Sequence, residues 1–254
     1  MRTRLTSAIR GILHRLDYVV WKREFLPYGL SPHLDVQRLS AVWHSSVTSY
    51  FDVGANIGQV SKSALADFPE ATVFAFEPHA ATFARLCSAV SDRRFKAFPI
   101  ALSDHTGEAP FFEYGTEGDG TLINSLTEAA RFPKRNGYRY RQDAVRCETL
   151  DEFCQHQEVD HIDVLKIDTE GHDLNVLLGG RGMLEAGRVK FVYVEFNDLV
   201  PEAGVVGGAL LPIAEYLRPF GFRHIACYTD FVLPDGDLHV CANAMFARPQ
   251  EFAR

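Results

Sequence analysis

The stretch 50–78, YFDVGANIGQVSKSALADFPEATVFAFEP, restricts this chain more than any other part of it. An apolar run ends in Asp52, the chain turns through Gly54, Ala55, Asn56, Ile57 and Gly58, and Val60, Ala64 and Leu65 then recur at helical spacing. The order this dictates is strand, glycine turn, helix. A second apolar run, 71–76, delivers Glu77 followed by Pro78. The pattern is the first half of a nucleotide-binding βαβ unit, in which an acidic residue about 20 positions past the turn meets a ribose.

The turn itself narrows the nucleotide. A pyrophosphate-binding turn reads G-x-G-x-x-G, so that glycine backbone and a helix N-terminus cradle negative charge. Here it reads D-x-G-x-x-x-G, with Asn56 in the middle. A carboxylate from Asp52 at the pocket mouth would repel a diphosphate and suit a ligand carrying ammonium and sulfonium charges. S-adenosylmethionine carries both.

Four further segments extend the pattern: PIALSDHTGE at 99–108, TLDEF at 149–153, DVLKIDTEGHDLNVLLGG at 163–180 and a fainter ANAMFAR at 242–248. With FDVGANIG and FAFEP they resemble the FkbM-type family of S-adenosylmethionine-dependent methyltransferases, over about 50–197. The resemblance implies a class I methyltransferase fold, which is an α/β, Rossmann-like, seven-stranded and mostly parallel sheet with an antiparallel terminal hairpin. It also implies methyl transfer to a hydroxyl of a sugar, glycolipid, polysaccharide or secondary metabolite. Asp52, Gly54, Asn56 and Gly58 would then hold the methionine end of the cofactor and Glu77 its ribose. Ala101, Leu102, Ser103 and Asp104 would surround the adenine, with Asp104 accepting from the amino group. Ser125, in a serine-leucine pair similar to one in the family, would touch substrate or cofactor.

The second dense site is the end of the run 163–167, a nearly continuous apolar segment around Lys166, as a buried parallel strand should be. It opens into Asp168, Thr169, Glu170, Gly171, His172 and Asp173, and ligands of open α/β sheets bind at such carboxyl ends. The next strand, 190–194, ends in Glu195, Phe196, Asn197 and Asp198, placing Glu195 beside Asp168. Methyl transfer from a sulfonium needs mainly positioning, and an alcohol acceptor needs a base within reach. His172 is the first candidate base, because its ordinary pKa lies near neutrality, and Asp168 the second. Asp168 also serves as a cofactor contact, while Glu195 and Asn197 read as substrate contacts and Glu170 as a structural or cofactor-facing group. Oxygen ligands from Asp168, Glu195, Asn197 and Asp198 would suit Mg²⁺, a weaker alternative.

At 254 residues and 46% hydrophobic content, the chain can bury one α/β core: a methyltransferase domain at 49–254 preceded by a helical extension at 1–48. A net charge of −7 gives no general electrostatic support for a nucleic-acid partner. Five cysteines without C-x-x-C spacing read as reduced thiols of a cytoplasmic protein. Within 3–24, Leu5, Ile9, Ile12, Leu16 and Val19 recur at helical spacing between arginines and lysines. That basic amphipathic helix could pack on the core, on a second subunit of a homo-oligomer, or on a membrane surface near a lipid-linked acceptor. The basic and aromatic segment 115–141 is a site for acceptor recognition or a solvated loop. Three rival readings stand beside O-methylation: an N-methyltransferase, a nicotinamide oxidoreductase, which the missing third glycine and Asp52 disfavour, and a non-catalytic cofactor-binding module.

Overall fold

The computed structural model of the chain describes residues 25–115, 123–126, 139–197, 208–234 and 238–249. The basic helix expected within 3–24, most of the 115–141 segment and Asp198 lie outside them. In chain order the elements are α1 (Pro32–Val42), β1 (Ser49–Val53), α2 (Gln59–Asp67), β2 (Thr72–Phe76), α3 (Ala80–Ala89), β3 (Phe95–Phe98), β4 (Ala101–Ser103), β5 (Gly107–Gly115) and β6 (Ile123–Ser125). There follow β7 (Arg139–Thr149), α4 (Leu150–His156), β8 (Ile162–Ile167), α5 (Asp173–Gly179), α6 (Arg181–Glu185), β9 (Val189–Phe196), α7 (Leu210–Leu217), β10 (Arg223–Pro234) and β11 (Leu238–Ala247).

Seven strands form the main sheet in the order β10-β11-β9-β8-β1-β2-β3. The five strands from β3 to β9 run parallel, and β11 is antiparallel to both β9 and β10. This is the mostly parallel sheet with a closing antiparallel hairpin that the resemblance implied. Strands buried on both faces can be apolar throughout, and β1 and β8 are fully buried. Alternation sends Phe51 and Val53 to one face and Tyr50 to the other, each into its own core cluster. On the first face Phe153 of α4 sets its ring edge-on to Phe51, Phe74, Phe76 and Phe98, an arrangement the aromatic quadrupole favours. Thr149 starts α4 by accepting a bond from the Glu152 N–H at 3.1 Å.

The second face is covered by α1, α2 and α3, so α1 belongs to the body of the domain. Trp43, just past its end, stacks on Phe191, and Val36 and Val47 enter the same cluster as Tyr50, Tyr228 and Met245. Buried Asp35 accepts from the Tyr228 hydroxyl at 2.7 Å and from the Gly29 N–H at 2.8 Å, tying this segment to β10.

One strand expectation divides. The run 95–102 reads as one strand, yet β3 pairs with β2 while β4 pairs with β7 in a second, four-stranded sheet, β4-β7-β5-β6. Pro99 lies between them and has no N–H to carry a ladder onward. Apolar and polar residues alternate from Val145 to Glu148, but the strand is longer than that pattern, since β7 runs eleven residues and pairs antiparallel with β5. This second sheet stands against the carboxyl end of the main one.

Candidate active site

The carboxyl ends of β1, β2 and β8 open into a cavity enclosing about 740 Å³, including the solvent at its mouth. Its walls are Val53, Gly54 and Asn56 after β1, then Phe76, Glu77, Pro78 and Thr82 after β2. Ile100, Ala101 and Leu102 around β4, Phe111 of β5 and Leu126 form an apolar end, and Asp168, Thr169 and Glu170 after β8 form an acidic one.

The glycine turn is shaped by the protein's own packing. Gly54 has φ +75°, and a Cβ there would lie 1.9 Å from the Asp168 carbonyl oxygen. Only glycine lets β1 and β8 release their chains side by side. Gly58 has φ +82°, and its Cβ would meet Leu86 of α3 and Val90 just past its end at 2.7 Å, so it serves helix packing and does not line the cavity. Asn56 takes φ +48°, a left-handed conformation that asparagine tolerates. Its N–H donates to Glu77 Oε2 at 3.1 Å, while the His79 N–H donates to Oε1 at 2.9 Å. Two backbone donors thus fix the Glu77 carboxylate against the cavity. Burial nevertheless raises its pKa against those bonds.

Asp52 is not at the pocket mouth. Strand parity turns it to the α2 face, where it is fully buried, accepts from the Ser61 hydroxyl at 2.6 Å and lies 3.0 Å from Lys166 Nζ. Asp52 and Lys166 are register partners on adjacent strands, and Nζ also reaches the Gly54 carbonyl at 3.1 Å and Asp168 Oδ2 at 3.4 Å. The carboxylates flanking Lys166 raise its pKa despite burial, so it stays charged. Negative charge at the cavity therefore comes from Asp168, Glu170 and Glu77.

The acidic end holds more carboxyl groups than Lys166 neutralises. Asp168, Glu170 and Glu195 each place one oxygen within 4.8 Å of the others, so the expected neighbourhood of Asp168 and Glu195 forms. Glu170 sits at φ +54°, followed by Gly171 at +96°. Burial, then repulsion from Asp168 and Asp173, pushes its pKa up to about 7. Asp173 is wholly buried, accepts from the Thr169 hydroxyl at 3.0 Å and is raised to about 7 by burial and Asp168. The trio could offer oxygen ligands to a metal ion, and the Lys166 ammonium lies 3.4 Å from Asp168 Oδ2. Asn197 is half-buried, and its N–H donates to the Gly208 carbonyl.

His172 also departs from expectation. It is buried outside the cavity lining, with Nε2 3.0 Å from the Ser103 hydroxyl, and burial pushes its pKa down to about 4. A histidine so placed does not line the cavity, and its lowered pKa means that it binds a proton weakly at neutral pH. It joins the start of α5 to the end of β4. Gly179 shows how closely these elements pack, since a Cβ there would lie 2.0 Å from the Ser103 carbonyl oxygen. Ser103 and Asp104 likewise stand behind the wall, Asp104 bonding Ser103, His105 and Asn175. Ala101 and Leu102 do line the cavity. Ser125 lies in β6 next to the cavity residue Leu126. Phe111 and Thr82 are cavity residues that the sequence did not single out, because the second sheet and α3 deliver them from outside the motifs.

The match to the family model for the methyltransferase FkbM domain covers residues 52–224. This chain belongs to the FkbM methyltransferase family. Among relatives of this FkbM chain, 2-O-methyltransferase NoeI of Sinorhizobium fredii is 29% identical over 154 residues, 58% of this chain and 62% of that protein. Hexuronic acid methyltransferase AglP of Haloferax volcanii is 32% identical over 149 residues, 58% of this chain and 55% of that protein. The FkbM chain thus matches less than two thirds of either relative's length. Among solved structures, the N-terminal domain of human METTL16 in complex with SAH is 11% identical with a TM-score of 0.47, covering 96% of this chain and 81% of that one.

Proposed function

We propose that this protein is an S-adenosylmethionine-dependent O-methyltransferase acting on a hydroxyl of a sugar or glycolipid. The observation that carries the proposal is the cavity's polarity, with an apolar end, a carboxylate fixed midway and a surplus of carboxyl groups at the other end. In this reading the adenine lies between Ala101, Leu102, Phe111 and Leu126. The ribose hydroxyls donate to Glu77, whose oxygens two backbone N–H groups already aim. The methionine end, with its ammonium and sulfonium, lies against Gly54, Asn56 and the acidic wall at Asp168 and Glu170. A diphosphate would meet the same wall at a cost, because like charges in a partly desolvated site repel strongly. Supplied by that cofactor, the reaction is a methyl displacement, and the chain's own residues orient the donor and shield it from water.

The acceptor class rests on the two relatives, one named a 2-O-methyltransferase and the other a hexuronic acid methyltransferase. Calorimetric titration with S-adenosylhomocysteine and, separately, NAD tests the cofactor assignment. One-to-one binding of the first with none of the second is expected. Binding of NAD alone would overturn the reading.

A further inference from the structure

His79 is half-buried and lies outside the cavity lining, yet it touches three residues of that lining. Its backbone N–H donates to Glu77 Oε1 at 2.9 Å, just past β2. Its Nδ1 lies 2.8 Å from the hydroxyl of buried Thr82 in the first turn of α3. Its ring stacks on buried Phe111 of β5, with centroids 6.2 Å apart and planes 16° from parallel. Glu77 and Thr82 follow a strand of the main sheet, whereas Phe111 belongs to the second sheet, so one residue ties two halves of the cavity wall together.

The same position shows what the chain forgoes. His79 immediately precedes α3 with φ −76° and ψ 117°, the extended conformation from which a short polar side chain accepts a backbone N–H of the first turn. Serine, asparagine and aspartate are favoured there because that bond stabilises the helix, and the His79 side chain does not make it. Its ring is directed to Thr82 and Phe111 instead. A local preference overridden beside a cavity wall is the pattern expected where a residue serves the site.

We propose that His79 is a positioning residue for the nucleoside half of the cofactor, its ring holding Phe111 at the adenine while its N–H holds Glu77 at the ribose. The inference deepens the cofactor reading above and rests on it. An aromatic ring backed by a second ring already presents its contact surface before the ligand arrives, which lowers the ordering cost of binding. The bond between Nδ1 and Thr82 fixes the tilt of the imidazole and so the plane against which Phe111 rests. His79 acts on the adenine only through Phe111.

Calorimetry on the full chain with S-adenosylhomocysteine and, by competition, with adenosine tests this. His79→Ser should weaken both ligands by the same factor, about five- to tenfold, the worth of one aromatic pair. Serine can cap α3, so Tm should stay within about 3 °C of the wild type or rise above it. A purely structural role would lower Tm and leave the affinity of the folded variant within about twofold, which overturns the proposal. His79→Phe keeps a ring against Phe111 and should bind within about threefold of the wild type, and a loss equal to that of His79→Ser overturns the proposal. In a Phe111→Leu background, His79→Ser should cost less than about twofold more, because the ring it positions is gone. A full additional loss there would overturn the proposal, as would weakened S-adenosylhomocysteine binding with adenosine unaffected. Should the serine variant not fold, His79→Leu, of similar bulk without a flat ring, must show the same loss or the proposal fails. Failure of the wild type to bind either ligand would instead sink the cofactor reading.

Discussion

Lys166 offers a test of how the carboxyl ends of β1 and β8 are held together. The side chain is 3% exposed and its partner Asp52 is 0% exposed, so Lys166→Met leaves a buried carboxylate that keeps the Ser61 hydroxyl as a polar side-chain partner. Breaking a buried pair from one side costs about 3–5 kcal/mol. Asp168 adds little to that figure, because its side chain is 37% exposed and water screens it. At roughly 2–4 °C per kcal/mol for a domain of this size, Tm should fall by about 6–20 °C. Asp52→Asn with Lys166→Met removes both charges and should recover at least half of the loss, giving a coupling of about 2 kcal/mol in a double-mutant cycle. The assay is urea denaturation of all four proteins with thermal melts alongside. A single variant melting within about 2 °C of wild type, or a double variant as unstable as the sum of the singles, would refute the reasoning.

Gly54→Ala should be far more harmful than Gly58→Ala, since the first Cβ meets backbone at 1.9 Å and the second meets side-chain methyl groups of Leu86 and Val90 at 2.7 Å. Melting curves and S-adenosylhomocysteine titration check this, and equal effects would contradict it. His172 has a folded-state pKa of about 4, below its ordinary 6.5, so acid favours the unfolded chain and its contribution to stability is lost from about pH 6.5 down to about pH 4. His172→Gln should therefore gain on the wild type by roughly 1.4 kcal/mol per pH unit across that window, and parallel stability–pH curves would refute the reading. Tyr228→Phe removes a donor from fully buried Asp35 and should cost about 1–3 kcal/mol in urea denaturation. Phe153→Ala should cost about 3–5 kcal/mol, because four phenylalanine rings lose a common partner.

Much of the parallel core was legible because its strands are short apolar runs ended by glycine, aspartate or glutamate. The unit 50–78 and the strands ending at Asp168 and Glu195 formed where the sequence placed them. Residue roles were harder to read, since they depend on which face a side chain takes. Asp52 and Glu77 both end apolar runs, yet parity buries the first against Lys166 while the Glu77 carboxylate is anchored at the cavity. His172 and Glu170 differ by two positions, and the left-handed turn at 170–171, invisible in composition, sends them to different places. The second sheet was largely hidden as well. The pairing of β5 with β7 joins residues 24 to 40 positions apart in the chain, which no local pattern reveals.

The most direct measurement is a crystal structure of the protein soaked with S-adenosylhomocysteine. The account places the ribose hydroxyls within hydrogen-bond distance of Glu77, the adenine between Leu102 and Phe111, and the sulfur facing Glu170. Density for the ligand elsewhere, or with its amino-acid end directed toward Phe111 and Leu126, would contradict it.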